Sequence, residues 1–260
     1  MMATLWNNVR GARRLTALLA VIGWSGAAYV VQAAHRRDAA AKARWLQQAC
    51  RRALRVLAVK VESRGEPVPG ALIAANHLGY LDILVLAALT PVVFVSKKEV
   101  RAWPVFGWFA EKAGTRFIDR TRRGDVSHVG AGAGSVVAEG LGLVIFLEGT
   151  STDGREVLPF KSSLLEPAVL GGWRVVPAGL FYDVPPGRSA AREVCWWGDM
   201  TLLPHLWNLM TVPWVRAHVA WGTPIRAGDW SRKLLARELR QEVLALTIKT
   251  PHTDFNKWRE

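Results

Sequence analysis

The chain has 260 residues, half of them hydrophobic and 21% charged, with a formal net charge of +13. That is enough length and apolar mass to bury a core, which excludes a disordered chain. Residues 1–70 hold twelve Lys or Arg against three Asp or Glu; the excess lies beside an apolar segment and points to membrane phosphates, not to nucleic acid, for which no basic–aromatic recognition block is present.

Leu15 to Ala34 is an uncharged stretch of 20 residues between Arg10, Arg13 and Arg14 on one side and Arg36 and Arg37 on the other. As a helix it is about 30 Å long, the thickness of a hydrocarbon core. A cleaved signal peptide is the rival reading, with Val31 and Ala33 as the cleavage site, but the basic residues that follow oppose export. Over 41–57 the helical period puts Trp45, Leu46, Ala49, Cys50, Ala53, Leu54 and Leu57 on one face and Arg44, Arg51, Arg52 and Arg55 on the other. That pattern suits a helix in the headgroup layer, and equally a helix packed on the body with a solvated basic face. Seven basic residues follow the apolar segment before residue 56 and three precede it. The positive-inside rule therefore puts the body on the cytoplasmic face. Residues 1–54 read as a membrane-associated segment and 55–260 as the domain behind it.

Beyond residue 55, β-rich runs alternate with helical ones. Strands are predicted over 55–62, 71–75, 92–96, 115–118, 143–147, 174–181, 192–197 and 215–221, and helices over 82–89, 100–112, 124–139, 162–170 and 230–248. Gly and Pro clusters punctuate them. The stretch 201–214 reads as a core or membrane-facing helix. Such alternation predicts an α/β fold, a mostly parallel sheet flanked by helices, with its site in the loops beyond the strand ends. Cys50, in a helical pattern, and Cys195, in a strand-like one, form no disulfide framework and read as packing residues. No Cys/His cluster has zinc-ligand spacing.

Two loops in the predicted site positions carry chemistry. NHLGYLD, at 76–82, follows the strand 71–75, and FLEGTSTDG, at 146–154, follows 143–147. A neutral imidazole takes a proton from an alcohol near neutral pH, and a carboxylate on its other nitrogen fixes the tautomer. Within one helix His77 and Asp82 would point about 140° apart. With His77 in the loop and Asp82 in the first helical turn, the chain brings them together. GAGAGS, at 130–135, lacks the third glycine of a dinucleotide loop and follows no strand, so it reads as helix packing or a turn.

The chain resembles the glycerophospholipid acyltransferases typified by bacterial 1-acylglycerol-3-phosphate acyltransferase, in four ordered blocks over roughly 70–225. NHLGYLD resembles the block with the family's catalytic pair, here His77 and Asp82. GTRFIDR is similar to the block whose basic residue, here Arg120, contacts the acceptor phosphate. FLEGTSTDG resembles FPEGTR, giving Glu148, Gly149 and Thr150, and VVPAGLFY the block with Pro177. LPFKSS matches a segment with a lysine, here Lys161. Gly79 replaces a serine, Leu147 a proline, and Ser151 the arginine that helps to bind the acceptor phosphate. The ending of FLEGTSTDG looks like that of a subgroup that includes lyso-ornithine-lipid acyltransferases, whose acceptor carries an amino-acid head group.

The resemblance implies an enzyme that moves a fatty acyl group from acyl-CoA or acyl carrier protein to the hydroxyl of 1-acyl-sn-glycerol 3-phosphate, giving phosphatidic acid. His77 and Asp82 would be catalytic. Gly79, Arg120, Glu148, Gly149, Thr150, Ser151 and Lys161 would bind substrate, with Lys97 or Lys98 as further cations. Backbone N–H groups around Gly79 or Gly149 would hold the oxyanion. A thioester is already activated, so neither cofactor nor metal is expected. The alternatives are another lysolipid as acceptor, lyso-ornithine lipid first among them, or a non-catalytic lipid-binding protein that keeps the fold. Membrane lipids are the expected partners, at the cytoplasmic face of the inner membrane, and nucleic acid is not one.

Overall fold

The computed structural model describes residues 2–33, 38–119 and 125–248. Helix α1 (Met2–Ala33) is followed by α2 (Ala39–Val56), whose N-terminus is capped by Asp38 accepting the Ala41 N–H at 2.6 Å. Then come β1 (Val59–Arg64), β2 (Leu72–Ala75), α3 (Tyr80–Leu89), β3 (Val92–Lys97), α4 (Phe106–Lys112), β4 (Arg116–Ile118), α5 (Asp125–Ala138) and β5 (Gly142–Ile145). The chain continues through α6 (Glu166–Leu170), β6 (Arg174–Asp183), α7 (Ala190–Glu193), α8 (Leu202–Thr211), β7 (Val215–Trp221), β8 (Ile225–Arg226) and α9 (Arg232–Thr247).

The strands form one sheet in the order β1-β7-β6-β2-β5-β3-β4, with β8 also on β6. All its pairs are parallel except β6–β7 and β6–β8, so the predicted mostly parallel sheet is observed. Every residue of β2 and β5 is buried, as strands covered on both faces require. Alternation divides them: Ile73, Ala75, Val144 and Val176 face the core shared with α2, α3 and α8, whereas Leu72, Ala74, Leu143 and Val175 face the core of α5, α6 and α9. Each large aliphatic residue sealed there contributes roughly 1.5–3 kcal/mol.

Several local expectations are corrected. The strand predicted over 55–62 starts only at Val59, because α2 runs on to Val56 and buries Leu54 and Leu57. Residues 192–197 form no strand; α7 ends at Glu193, and Val194 and Cys195 are buried in irregular chain. Their apolar composition mimics a strand but serves a wall of the site. The helix expected over 100–112 is broken around Pro104 into a 3₁₀ turn, Lys98–Ala102, and α4.

The apolar face of α2 is buried within the protein, against α1 and α3, with Trp45 3% and Leu54 3% exposed. It is thus closed to lipid and leaves the arginines outward. Helix α1 also lies along the body. Its more buried positions recur at Asn7, Arg10, Gly11, Arg14, Leu18, Ile22, Ser25 and Tyr29, a helical stripe against α8 and α2. Its other face leaves Leu5, Trp6, Leu19, Trp24, Val30 and Val31 exposed. The segment Leu5–Gln32 has the length and hydropathy of a membrane span.

Candidate active site

The site grows from the C-terminal edge of β2. Asn76 follows the strand and continues its ladder with a side chain: the amide donates to Leu180 O at 2.9 Å and its carbonyl accepts the Leu180 N–H at 2.7 Å. The backbone is thereby released from β6 and turns into the loop 77–79, before α3 begins at Tyr80.

Asp82, third residue of α3, is 0% exposed. Its Oδ2 accepts from the Leu78 N–H at 2.6 Å, from the Gly79 N–H at 3.0 Å and from His77 Nδ1 at 2.8 Å. Its Oδ1 accepts from the Tyr182 hydroxyl at 2.6 Å. A carboxylate in the first turn also suits the positive end of the helix. Burial, and then the Asp82 charge, raise the Tyr182 phenol well above its ordinary range, so it stays a donor. Asp82 therefore fixes the Nδ1–H tautomer of His77 and leaves Nε2 as the acceptor. The imidazole stacks on Phe146, with ring centroids 3.9 Å apart, and its side chain is 20% exposed. Nε2 has no hydrogen-bond partner among the described residues. A held imidazole with one open nitrogen is the geometry of a general base.

The loop after β5 is strapped to this one. Glu148 is 3% exposed; its Oε1 accepts the His77 N–H and its Oε2 the Leu158 N–H, both at 2.7 Å. The Thr152 N–H donates to His77 O at 2.9 Å. Burial raises the Glu148 carboxyl to about 7, against the two N–H groups that favour its charge. Glu148, expected to bind substrate, faces inward and braces the two loops.

Gly149 has φ +77°, and a Cβ there would overlap Lys161 Nζ, so the glycine makes room for the lysine to cross the turn. Thr150 is exposed, and the Ser151 hydroxyl donates to Trp196 O at 2.6 Å. Trp196 is the third wall: its N–H donates to Leu78 O at 2.7 Å. A Cβ on Gly79, at φ +155°, would lie 2.8 Å from Trp196 N, so Gly79 is a packing requirement. Among the backbone N–H groups around Gly79 and Gly149, those of the two glycines are already bonded, Gly79 N–H to Asp82 and Gly149 N–H to Phe146 O at 3.1 Å.

His77, Asp82, Gly79, Glu148, Gly149, Ser151 and Lys161 thus come together. Arg120 lies outside the described residues. Lys98 is paired with Asp119 at 2.6 Å, and Lys97 is exposed. Pro177 sits in β6 opposite Ala74, where a Cβ on Gly222 would lie 2.7 Å from its ring, so it shapes the sheet. Tyr182 and Trp196 were not expected at the site. Tyr182 ends the block VVPAGLFY, a signal within reach; nothing in the residues around Trp196 marked it.

A model of the Acyltransferase family matches residues 59–180. Lyso-ornithine lipid O-acyltransferase of Brucella abortus is 36% identical over 187 residues, 67% of this chain and 70% of that protein. The protein of the same description from Pseudomonas aeruginosa is 37% identical over 202 residues, 76% of this chain and 75% of that one. A 1-acyl-sn-glycerol-3-phosphate acyltransferase of Neisseria gonorrhoeae is 33% identical over 152 residues, 57% of this chain and 59% of that protein. The crystal structure of the 1-acyl-sn-glycerophosphate (LPA) acyltransferase PlsC from Thermotoga maritima is similar in fold, with a TM-score of 0.70 at 18% identity, over 95% of this chain and 99% of that one. With a relative 37% identical spanning 76% of its length, and a paired histidine and aspartate at the sheet edge, the chain belongs to the glycerophospholipid acyltransferase family.

Proposed function

We propose that the protein is a lyso-ornithine lipid O-acyltransferase, which esterifies the free hydroxyl of that lysolipid with a fatty acyl group from acyl-CoA or acyl carrier protein. The observation that carries the chemistry is His77, held by Asp82 at 2.8 Å with Nε2 open. His77 accepts the hydroxyl proton as the oxygen attacks the thioester carbonyl. The tetrahedral intermediate collapses, the C–S bond breaks, and the proton passes to the leaving thiolate. Asp82 stabilises the imidazolium formed on the way. The acceptor reading is supported by Ser151, which puts a neutral hydroxyl bonded to Trp196 O where the family carries an arginine, and by the relatives of that description. The apolar outer face of α1 suits work at a membrane, and the basic residues near it suit the cytoplasmic face.

A second reading, with 1-acyl-sn-glycerol 3-phosphate as acceptor, is favoured by Lys161 beside the Glu148 turn and by relatives of that description. The test is purified protein in detergent, given labelled acyl-CoA or acyl carrier protein and a panel of lysolipids. Acylated ornithine lipid is the expected product, and exclusive formation of phosphatidic acid would select the second reading. His77→Ala is expected to lose 10²–10⁴-fold in rate while staying folded, the order of a general base; wild-type rates would remove the mechanism.

A further inference from the structure

The loop after β5 departs from the family where a cation is expected, and the residues that stand there bear on the acceptor's head group. Two positions beyond Ser151, Asp153 supplies a carboxylate whose side chain is 16% exposed. Its neighbours tie it to the catalytic loop. On one side Thr152 donates to His77 O at 2.9 Å; on the other, a Cβ on Gly154 would lie 3.2 Å from the Leu78 side chain. Its charge reaches inward: the Cys195 thiol is raised by burial first, and then by the charges of Asp82 and Asp153. Lys161 lies at the other backbone link, over Gly149 and next to the Glu148 that accepts the His77 N–H. One carboxylate and one ammonium thus stand beside the two straps that hold His77.

We infer that Asp153 and Lys161 select a zwitterionic head group, Asp153 receiving an ammonium and Lys161 a carboxylate of the acceptor. The inference rests on the acceptor proposed above and specifies how it is recognised. Ornithine joined to its acyl chain through one amine keeps one ammonium and one carboxylate, the complement of this pair. A phosphate monoester offers only negative charge and meets Asp153 with repulsion, which discriminates against it. Asp153 is engaged by Arg155, whose N–H donates to Oδ1 at 3.1 Å and whose Nε lies 3.2 Å from Oδ2. The Arg155 side chain is 85% exposed, so the ion pair is solvated and weak, and a ligand ammonium displaces it at little cost. The backbone bond keeps the carboxylate aimed while it does so.

The experiment uses the full chain in detergent with a fixed acyl donor and three acceptors: lyso-ornithine lipid, the same lipid with its amine acetylated, and lysophosphatidic acid. Wild type is expected to take the free-amine lipid with a KM about tenfold below that of the acetylated one, the order of a single charge-assisted contact. Asp153→Asn is expected to erase that preference by raising only the free-amine KM, with kcat held. Lys161→Met is expected to raise KM for both ornithine acceptors. If wild type acylates no ornithine acceptor, the proposed function fails. If it acylates both forms with equal KM, or if Asp153→Asn keeps the preference, the function stands and the zwitterion site is wrong. Should Asp153→Asn not fold, Asp153→Ser is read in the same way, its fold checked by circular dichroism.

Discussion

Asp82 is a buried carboxylate whose partners come from the backbone, from a histidine and from Tyr182, 100 positions away. Its partnership with His77 is readable from local spacing, because a loop leading into a helix is short enough to bring residues 77 and 82 together. The Tyr182 contact depends on β6 lying beside β2, a long-range pairing that no local pattern encodes. Glu148 shows the same limit: its place beside a glycine was legible, its inward task was not. Its carboxyl rises by burial from 4.5 to about 7, so the folded protein binds that proton more tightly than the unfolded chain. The resulting stability is fully present below about pH 4.5 and is lost as pH rises through about 7, an effect of roughly 3 kcal/mol. Denaturant unfolding in detergent at pH 5 and pH 8 checks this. The stability gap between wild type and Glu148→Gln is expected to shift by about that amount, against the variant at low pH. A gap that ignores pH would show that Glu148 is ionised throughout.

Among the elements, the long helices were legible because their period is sustained, and 192–197 was not because a short apolar run has no period to distinguish strand from packed loop. Helix α2 was ambiguous for another reason: an amphipathic face reads the same whether lipid or protein covers it, and here α1 and α3 cover it. Helix α1 has 32 residues, about 48 Å, and touches the body along a stripe from Asn7 to Tyr29. A helix packed on the domain over that length cannot cross a bilayer while the domain stays on one side. Its outer apolar face suits immersion in one leaflet. Single cysteines at the exposed positions Asn8 and Gln32 are therefore expected to react with an impermeant thiol reagent from the same side of sealed vesicles. Labelling from opposite sides would establish a transmembrane helix.

At the scale of the whole molecule, the sheet order gathers the loops after β2 and β5, and the segment after β6, at one edge, where they bond to one another through Glu148, Thr152 and Trp196. The alternation of elements made that edge foreseeable, but the third wall needed the strand order. The N-terminal helix is joined to the same assembly. Arg10 donates to Thr211 O at 2.8 Å, and Arg14 to Met210 O at 3.1 Å and Pro213 O at 2.8 Å. Met210 and Thr211 close α8, where a helix's carbonyls lack internal partners, and Pro213 follows just beyond it. Helix α8 in turn carries His205, 6% exposed, whose Nδ1 lies 2.9 Å from the Tyr80 hydroxyl at the start of α3. Replacing both arginines by glutamine is expected to cost about 2 kcal/mol and about 5 °C in Tm. It is also expected to reduce turnover in detergent, because the support for α3 loosens. Trp24→Ser and Leu19→Ser, on the outer face of α1, are expected to weaken vesicle binding and leave detergent turnover intact. Thermal unfolding followed by tryptophan fluorescence, beside micellar and vesicle assays, separates the two; unchanged stability and detergent turnover in the arginine pair would mean that α1 acts only as an anchor.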